Sequence, residues 1–419
     1  MNSQQRGWLR YSAAAKGCTQ RGHHCPVWSI SKQRKAEPMN WWNNLRLKSK
    51  DPQARRKAVE ELTTSGDPQA VELLIESLND EDAQVRRAAA QALGNTQDER
   101  PVDSLIATLR DPNERVREAA ASALGQLGDP RATSPLLWAL EDPSTSVRTC
   151  AAAGLRNLGW KPATREEEAL FDIAIGNTRA AARAGEAAVA SLVAELKHDT
   201  SFQRRAAAEA LEEIDDPRRV QPLVLAARDP DPNVRVSAIY ALAKETGEQV
   251  KTMLLNSLRD ANPQVRLAAT EVLAKQEDVT CIPCFFELLA DHHFEVRLTA
   301  VQFLSKIRGP HLAEALVPLL QDPDNSVRRA TAQALGGIGD PSTIEALVLA
   351  LIDEEIAVRQ AAGKALDQIA FHWSYSEAAQ RAAAQLESSL SDRRAWVHSA
   401  ARQALVKLRA SIGGARAAG

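Results

Sequence analysis

The sequence predicts an all-α fold, a right-handed α-solenoid of about ten helical hairpins with a 31-residue period. Three observations support this. The string Asp-Pro-x-x-x-Val-Arg, followed by an alanine-rich run, recurs at a fixed interval, which ordinary globular packing does not produce. The segment before each string carries apolar residues at the spacing of a helix with one buried face. Aromatic residues make up only 4% of the chain and alanine is abundant, which favours helices over sheets.

Each copy is marked by an aspartate and by an arginine six residues later. The arginines are Arg86, Arg117, Arg148, Arg235, Arg266, Arg297, Arg328 and Arg359. The aspartates are Asp80, Asp111, Asp142, Asp229, Asp260, Asp291, Asp322 and Asp353. Arg55 and Arg204 open degenerate copies, and His398 replaces the arginine in the last one. We expect these side chains to stack as a structural charge ladder between repeats. The alternative is a basic binding stripe, which the net acidity of residues 39–419 disfavours.

The first helix of a copy is predicted from a stripe such as Val102, Leu105, Ile106 and Leu109. We expect Asp111 to end the turn and cap the second helix, because its carboxylate can accept from free N–H groups of the first turn. Pro112 would then fill the first helical position, where no N–H is needed.

The second helix has small side chains, as in the run from Arg117 to Leu124. Alanine favours helix and lets neighbouring helices approach closely. Four glycines are expected to supply left-handed residues at helix ends: Gly94, Gly125, Gly336 and Gly339. We expect the second helices to line a concave face. Their outward polar residues are the candidate partner contacts: Arg87, Gln91, Glu118, Ser122 and Arg329.

The Asp-Pro-x-x-x-Val-Arg-x-x-Ala-x-x-Ala-Leu-Gly units resemble the HEAT-like repeats of the family named after phycobilisome lyases. The resemblance covers about residues 45–408 and implies a scaffold. Its enzymatic relatives include deoxyhypusine hydroxylase, an iron-dependent monooxygenase that uses paired His-Glu dipeptides, and phycobilin lyases, which attach or remove tetrapyrroles. None of the eight histidines here is followed by glutamate, and no tetrapyrrole pocket is identifiable. We therefore expect no enzymatic activity, no metal and no cofactor.

Departures from the period divide the chain. We expect a basic leader or mis-assigned start at 1–40, repeats at 41–158, an inserted helix at 159–185, repeats at 186–408 and a disordered tail at 409–419. The 159–185 insertion contains Trp160-Lys161-Pro162. It is interpreted as a tolerated surface insertion, with a bend in the superhelix or an extra binding edge as the alternatives.

A second insertion, near 371–378, holds the densest aromatic cluster of the repeats. One interpretation is a plug that closes the hydrophobic core at the end of the array. The other is a recognition loop with aromatic anchors, in which Trp373 and Tyr375 would contact a partner.

Residues 1–38 carry seven basic side chains and one acidic one. Cys18, His23, His24 and Cys25 are zinc-ligand types at the wrong spacing for a standard finger. We expect a disordered leader or a start at Met39, with Trp41, Trp42 and Leu45 capping the first repeat.

Sequence motifs for catalysis are missing: there is no phosphate loop, no dinucleotide fingerprint and no nucleophile elbow. Cys281 and Cys284 form a Cys-x-x-Cys inside a predicted helix, where buried packing is expected, and Cys150 is interpreted in the same way. The expected partner is another protein, with no nucleic acid and no membrane. The expected state is a cytoplasmic monomer.

Overall fold

The computed structural model describes residues 45–65, 68–307, 309, 311–370, 372–391 and 394–417. Over these ranges the chain forms helices and turns without a β-strand, so the fold is an all-α solenoid. Within the same ranges, no helix has the length and apolar character needed to cross a bilayer.

One helix, α1 (Pro52–Ser65), precedes ten helical hairpins in the described residues. The first helices of the hairpins are α2 (Pro68–Ser77), α4 (Val102–Thr108), α6 (Thr133–Ala139), α10 (Val189–Glu195), α12 (Val220–Ala226), α14 (Glu248–Ser257), α16 (Ile282–Leu288), α18 (Leu312–Leu316), α20 (Ile344–Ala350) and α22 (Glu377–Ser389). The second helices are α3 (Ala83–Gly94), α5 (Glu114–Leu127), α7 (Thr145–Asn157), α11 (Ser201–Glu212), α13 (Pro232–Ala241), α15 (Pro263–Gln276), α17 (Phe294–Leu304), α19 (Asn325–Ile338), α21 (Ile356–Ile369) and α23 (Ala395–Ala417). The inserted helices are α8 (Arg165–Ala174) and α9 (Thr178–Ala181).

The second helices begin later than the sequence predicts. Asn113, not Asp111, caps α5 by accepting the backbone N–H of Arg115 at 3.0 Å. The Asp111 carboxylate instead accepts the backbone N–H of Asn113 at 2.8 Å and holds the loop. Pro112 therefore lies in that loop and outside the helix. The assignment of Asp111 as the cap was wrong because its carboxylate is engaged by the preceding repeat.

The small residues allow the second helices to pack against each other. Helix α5 packs between α3 and α7, and Ala119, Ala120 and Ala121 of α5 are buried. A Cβ atom on Gly125 would lie 2.5 Å from the Cα atom of Gly154 in α7, so this contact requires glycine.

The structure corrects the role predicted for three of the four glycines. Gly94 is the last residue of α3, and Gly125 and Gly336 lie inside helices; none of the three has a positive φ, and all three allow close helix packing. Gly339, with φ of 76°, has the left-handed conformation predicted for a helix end.

The 159–185 insertion interrupts the stack of second helices. Helix α7 packs against α8, and α11 packs against α9 and α13. The buried side chains accordingly form two clusters, one between residues 59 and 174 and one between residues 169 and 408, which meet in α8. The Thr149 hydroxyl of α7 donates to the Ala174 carbonyl at 3.0 Å and ties the insertion to the first cluster.

Trp373 closes the second insertion against the core. It is 6% exposed, and its indole N–H donates to Asp367 Oδ1 at 3.1 Å. Trp373 is therefore not available as a partner contact, and the geometry favours the plug. Tyr375 is 41% exposed and keeps an accessible ring. At the other end, Leu45 is 60% exposed and does not cap the core, and Trp41 and Trp42 lie outside the described residues.

Candidate interaction surface

An arginine–aspartate ladder joins successive repeats. Arg266 donates from Nε to Asp291 Oδ2 at 2.7 Å and from Nη2 to Asp291 Oδ1 at 2.8 Å. Its Nη1 donates to the carbonyl of Asp260, in its own repeat, at 2.8 Å. The bidentate pairs of this kind are Arg55–Asp80, Arg86–Asp111, Arg117–Asp142, Arg204–Asp229, Arg235–Asp260, Arg266–Asp291, Arg297–Asp322 and Arg328–Asp353.

The arginine and aspartate side chains of the ladder are paired with each other within the fold. Burial alone would raise the pKa of Asp291, but hydrogen bonds from Arg266 and from the His293 backbone N–H hold that pKa below its usual range. Each guanidinium meets a carboxylate on one side and a backbone carbonyl on the other. The arginine column therefore links repeats and does not present a free basic stripe.

The ladder changes at the first insertion. Arg148 donates from Nη2 to Glu195 Oε1 at 2.8 Å, because His198 stands where the repeat has aspartate. The His198 ring contacts the Thr145 hydroxyl at 2.5 Å. The Arg148 Nε is buried without a hydrogen-bond partner. In this rung the arginine thus donates one hydrogen bond to a carboxylate, whereas in the ordinary rungs it donates two.

The last arginine of the column, Arg359, donates to the Asp353 and Glu354 carbonyls at 2.6 and 2.9 Å. Asp392 holds the next acidic position by sequence and lies outside the described residues.

Four of the candidate contacts are brought together by the stacking of α3, α5 and α7. Arg87 and Gln91 of α3 line one pocket of about 270 Å³ with Glu118 and Ser122 of α5. Arg87 and Glu118 form no ion pair within the described residues. The fifth candidate, Arg329, is exposed on α19 and lies outside this pocket. We call the surface around these four side chains the α3–α7 pocket.

Burial raises the thiol pKa of two cysteines, Cys150 and Cys281. Cys150 is half-buried in the wall of the α3–α7 pocket, and burial raises the pKa of its thiol. Cys281 is buried, and burial raises the pKa of that thiol as well. Both therefore remain protonated near neutral pH, which fits a packing role better than nucleophilic chemistry.

Metal-binding side chains do not gather in the part of the chain that the structure describes. No group of three or more His, Cys, Asp or Glu residues there could hold an ion. The described histidine–carboxylate contacts join two side chains each: His293 Nδ1 lies 3.7 Å from Glu295 Oε2, and His311 Nδ1 lies 3.3 Å from Glu314 Oε2. Cys18, His23, His24 and Cys25 lie outside the described residues.

A second surface was not predicted from the sequence. Trp138 on α6 is 68% exposed, and the Arg110 guanidinium lies 6.0 Å from its ring. Ile106, Leu109 and Trp138 line a pocket of about 440 Å³ between α4 and α6. The signal was present in the sequence, because Trp138 falls between the buried positions of its helical stripe, where a polar residue is expected.

Comparisons with known proteins show the family and add a few distant structural similarities. The HEAT repeats profile matches residues 42–124, 102–184, 165–243, 189–260, 250–332 and 313–406. No curated protein matches the chain. An engineered protein of a structural genomics programme is 22% identical, with 88% of this chain and 98% of that chain covered and a TM-score of 0.31.

Two further solved structures are similar over most of this chain. Human deoxyhypusine hydroxylase is 24% identical, with 78% of this chain and 94% of that chain covered and a TM-score of 0.26. Importin β is 16% identical, with 88% of this chain and 55% of that chain covered and a TM-score of 0.38. Because the HEAT profile matches nearly the whole chain and the hairpins stack in chain order, the protein belongs to the HEAT-repeat family.

Proposed function

We propose that this protein is a non-catalytic scaffold that binds another protein through the exposed face of its second helices. The α3–α7 pocket carries the proposal. There Arg87, Gln91, Glu118 and Ser122 converge from two helices, whereas the neighbouring Arg86 and Arg117 are held by the aspartates of the ladder. Side chains of opposite sign that have no ion-pair partner among the described residues provide contacts for an external surface, and the stacked helices hold them at fixed spacing.

The charge pattern supports a protein as the partner. The net charge is −2, and the pocket contains both arginine and glutamate, which suits the mixed charges of a protein surface better than a phosphate backbone. The proposal includes a monomer in the cytoplasm, without nucleic-acid or membrane partners. Free thiols at Cys150, Cys281 and Cys284 support a reducing compartment.

Photo-crosslinking tests the location of the binding surface. The full chain would carry a benzoylphenylalanine at Ser122 in the α3–α7 pocket, or at Trp138 on the first-helix surface as the matched control. Proteins captured from a lysate would be identified by mass spectrometry. We expect crosslinks from position 122 that are lost in the charge-swapped variant R87E/E118R, whose net charge is unchanged. A partner that crosslinks only from position 138 would overturn the assignment to the second helices.

Because the repeats resemble the HEAT-like repeats of phycobilisome lyases, two alternative functions should also be tested. A deoxyhypusine-hydroxylase-like monooxygenase would carry stoichiometric iron, which mass spectrometry of the purified full chain measures. A tetrapyrrole-handling protein would give a shifted visible absorption band on addition of a bilin. We expect neither result, because the sequence has no His-Glu dipeptide and the described residues form no metal cluster.

A further inference from the structure

Three consecutive repeats carry an aliphatic residue where the others are polar. The position is the one directly after the ladder arginine. We define the aliphatic row as Val236 of α13, Leu267 of α15 and Leu298 of α17, which pack against the core and remain half-buried, with part of each side chain accessible. The matching residues of other repeats are Arg56, Arg87, Glu118, Thr149, Arg205, Arg329 and Gln360.

The same three repeats carry a second row. Nine residues after the ladder arginine stand Lys244, Lys275 and Lys306, which we define as the lysine row. All three are exposed and form no ion pair within the described residues. The matching residues of the other arginine-bearing repeats are Thr64, Asn95, Gln126, Asn157, Glu213, Gly337 and Gln368. The last copy, with His398 in the arginine position, has Lys407.

The two rows flank one strip of surface. Positions one and five after the arginine are four residues apart and share one side of the second helix. Position nine continues this side in α15, whereas α13 ends at Ala241 and α17 ends at Leu304, so Lys244 and Lys306 lie in the turn that follows each helix. In α15 the three positions are Leu267, Glu271 and Lys275. The Tyr240 hydroxyl of α13 donates to Glu271 Oε2 at 2.7 Å, which joins the fifth positions of two neighbouring helices. The strip therefore has an aliphatic edge, a hydrogen-bonded centre and a cationic edge.

The helix dipole also favours a lysine near a helix C-terminus, and this accounts for each lysine separately. It does not account for the aliphatic residues in the same three repeats. In each of these three repeats, a half-buried aliphatic side chain and an exposed lysine stand eight residues apart, and the lysine has no ion pair among the described residues. Each of the three repeats thus offers an apolar and a cationic contact.

We propose that this strip binds an extended, acidic segment of a partner protein that has one apolar and one acidic side chain in each triplet. Packed helices lie about 8–10 Å apart, and three extended residues advance about 10 Å. One triplet thus spans one repeat. The inference rests on the proposed scaffold function and adds the chemistry of the partner. Residues 1–38 are strongly basic, so they do not provide the complementary charge.

Two fluorescein-labelled peptides test the proposal by fluorescence anisotropy with the full chain. The acidic peptide repeats Leu-Ser-Glu four times, and the control peptide repeats Leu-Ser-Lys. We expect saturable binding of the acidic peptide that weakens as salt is raised, because exposed charges are screened. We expect no binding of the basic peptide.

Variants assign the binding to the two rows. K244E/K275E/K306E is expected to weaken the acidic peptide about tenfold or more, the combined effect of three exposed ion pairs. K57E/K161E/K197E changes the net charge equally at exposed lysines elsewhere, and its effect should stay below about threefold. V236S/L267S/L298S should also weaken binding. Circular dichroism would verify that each variant keeps its helix content.

Failure of this inference and failure of the scaffold proposal give different results. Equal binding of both peptides, equal losses in the two lysine variants, or no binding by the wild-type chain would overturn the acidic-segment inference. A partner that crosslinks from position 122 in the same preparations would leave the scaffold function intact in each of these cases. Binding of the acidic peptide to the strip supports the acidic-segment inference even if no partner crosslinks from position 122.

Discussion

Removal of one rung of the ladder should cost far more than its place near the surface suggests. In the Arg266–Asp291 pair the side chains are 15% and 9% exposed and share two hydrogen bonds of 2.7 and 2.8 Å. The variant R266A leaves the Asp291 carboxylate in place. The carboxylate then keeps its hydrogen bond from the His293 backbone N–H but loses both hydrogen bonds from Arg266. Breaking a buried pair by deleting one partner costs about 3–5 kcal/mol. Residual exposure places our expectation near the lower limit, at about 3 kcal/mol.

Urea unfolding followed by far-UV circular dichroism measures this loss. Repeats are stabilised by contacts with their neighbours, so a weakened interface should separate the single transition into two. The control is R179A, which removes a pair with Glu213 whose side chains are 89% and 46% exposed and should cost under about 1 kcal/mol. The double variant R266L/D291L removes both charges and should regain most of the lost stability. A loss below about 1 kcal/mol in R266A, or a double variant as unstable as the single one, would refute the reasoning.

Three further predictions concern stability. Because the folded pKa of Asp291 is lowered, the native state binds fewer protons than the unfolded chain, so the urea midpoint should hold between pH 7 and about 5 and fall below about pH 4; a midpoint that rises on acidification would contradict this. G125A should destabilise by about 1–3 kcal/mol because its Cβ would meet the α7 backbone, whereas G337A, with open space around it, should stabilise by up to about 1 kcal/mol. W373A should cost about 3–5 kcal/mol and Y375A under about 0.5, as measured by thermal and urea unfolding; equal costs would contradict the plug.

The fold was predictable because the repeat period and the apolar stripes of the helices can both be recognised in the amino-acid sequence. A residue such as Leu105 or Ala120 is constrained by burial against its neighbours, and burial leaves a regular pattern. The capping error shows the limit of this reasoning. Asp111 is a suitable cap by residue type, but its carboxylate binds Arg86 of the preceding repeat. A hydrogen bond between repeats cannot be deduced from the local preferences of one repeat.

The candidate surfaces were only partly predictable. The outward positions Arg87 and Glu118 follow from helical phase, but their convergence in one pocket depends on the close stacking of α3 and α5. Exposed positions are not constrained by the core. The hydrophobic periodicity of a single hairpin therefore does not reveal Trp138 or the lysine row. Comparison of one position across all repeats reveals the lysine row, whereas the exposure of Trp138 required its helical phase to be judged against the buried side chains.

The ordinary rungs are interchangeable, which has a consequence for how such a chain can lengthen or shorten over evolution. Unequal recombination that deletes one period would pair Arg86 with Asp142 in the geometry that Arg117 now uses, so the product would keep an intact ladder. The Arg148–Glu195 rung is different, because His198 occupies the place of the aspartate. If the adjoining insertion were lost, Arg148 would still face a repeat that has His198 in place of the ladder aspartate. Whole-period gains and losses are therefore easier to accommodate on either side of that point than across it.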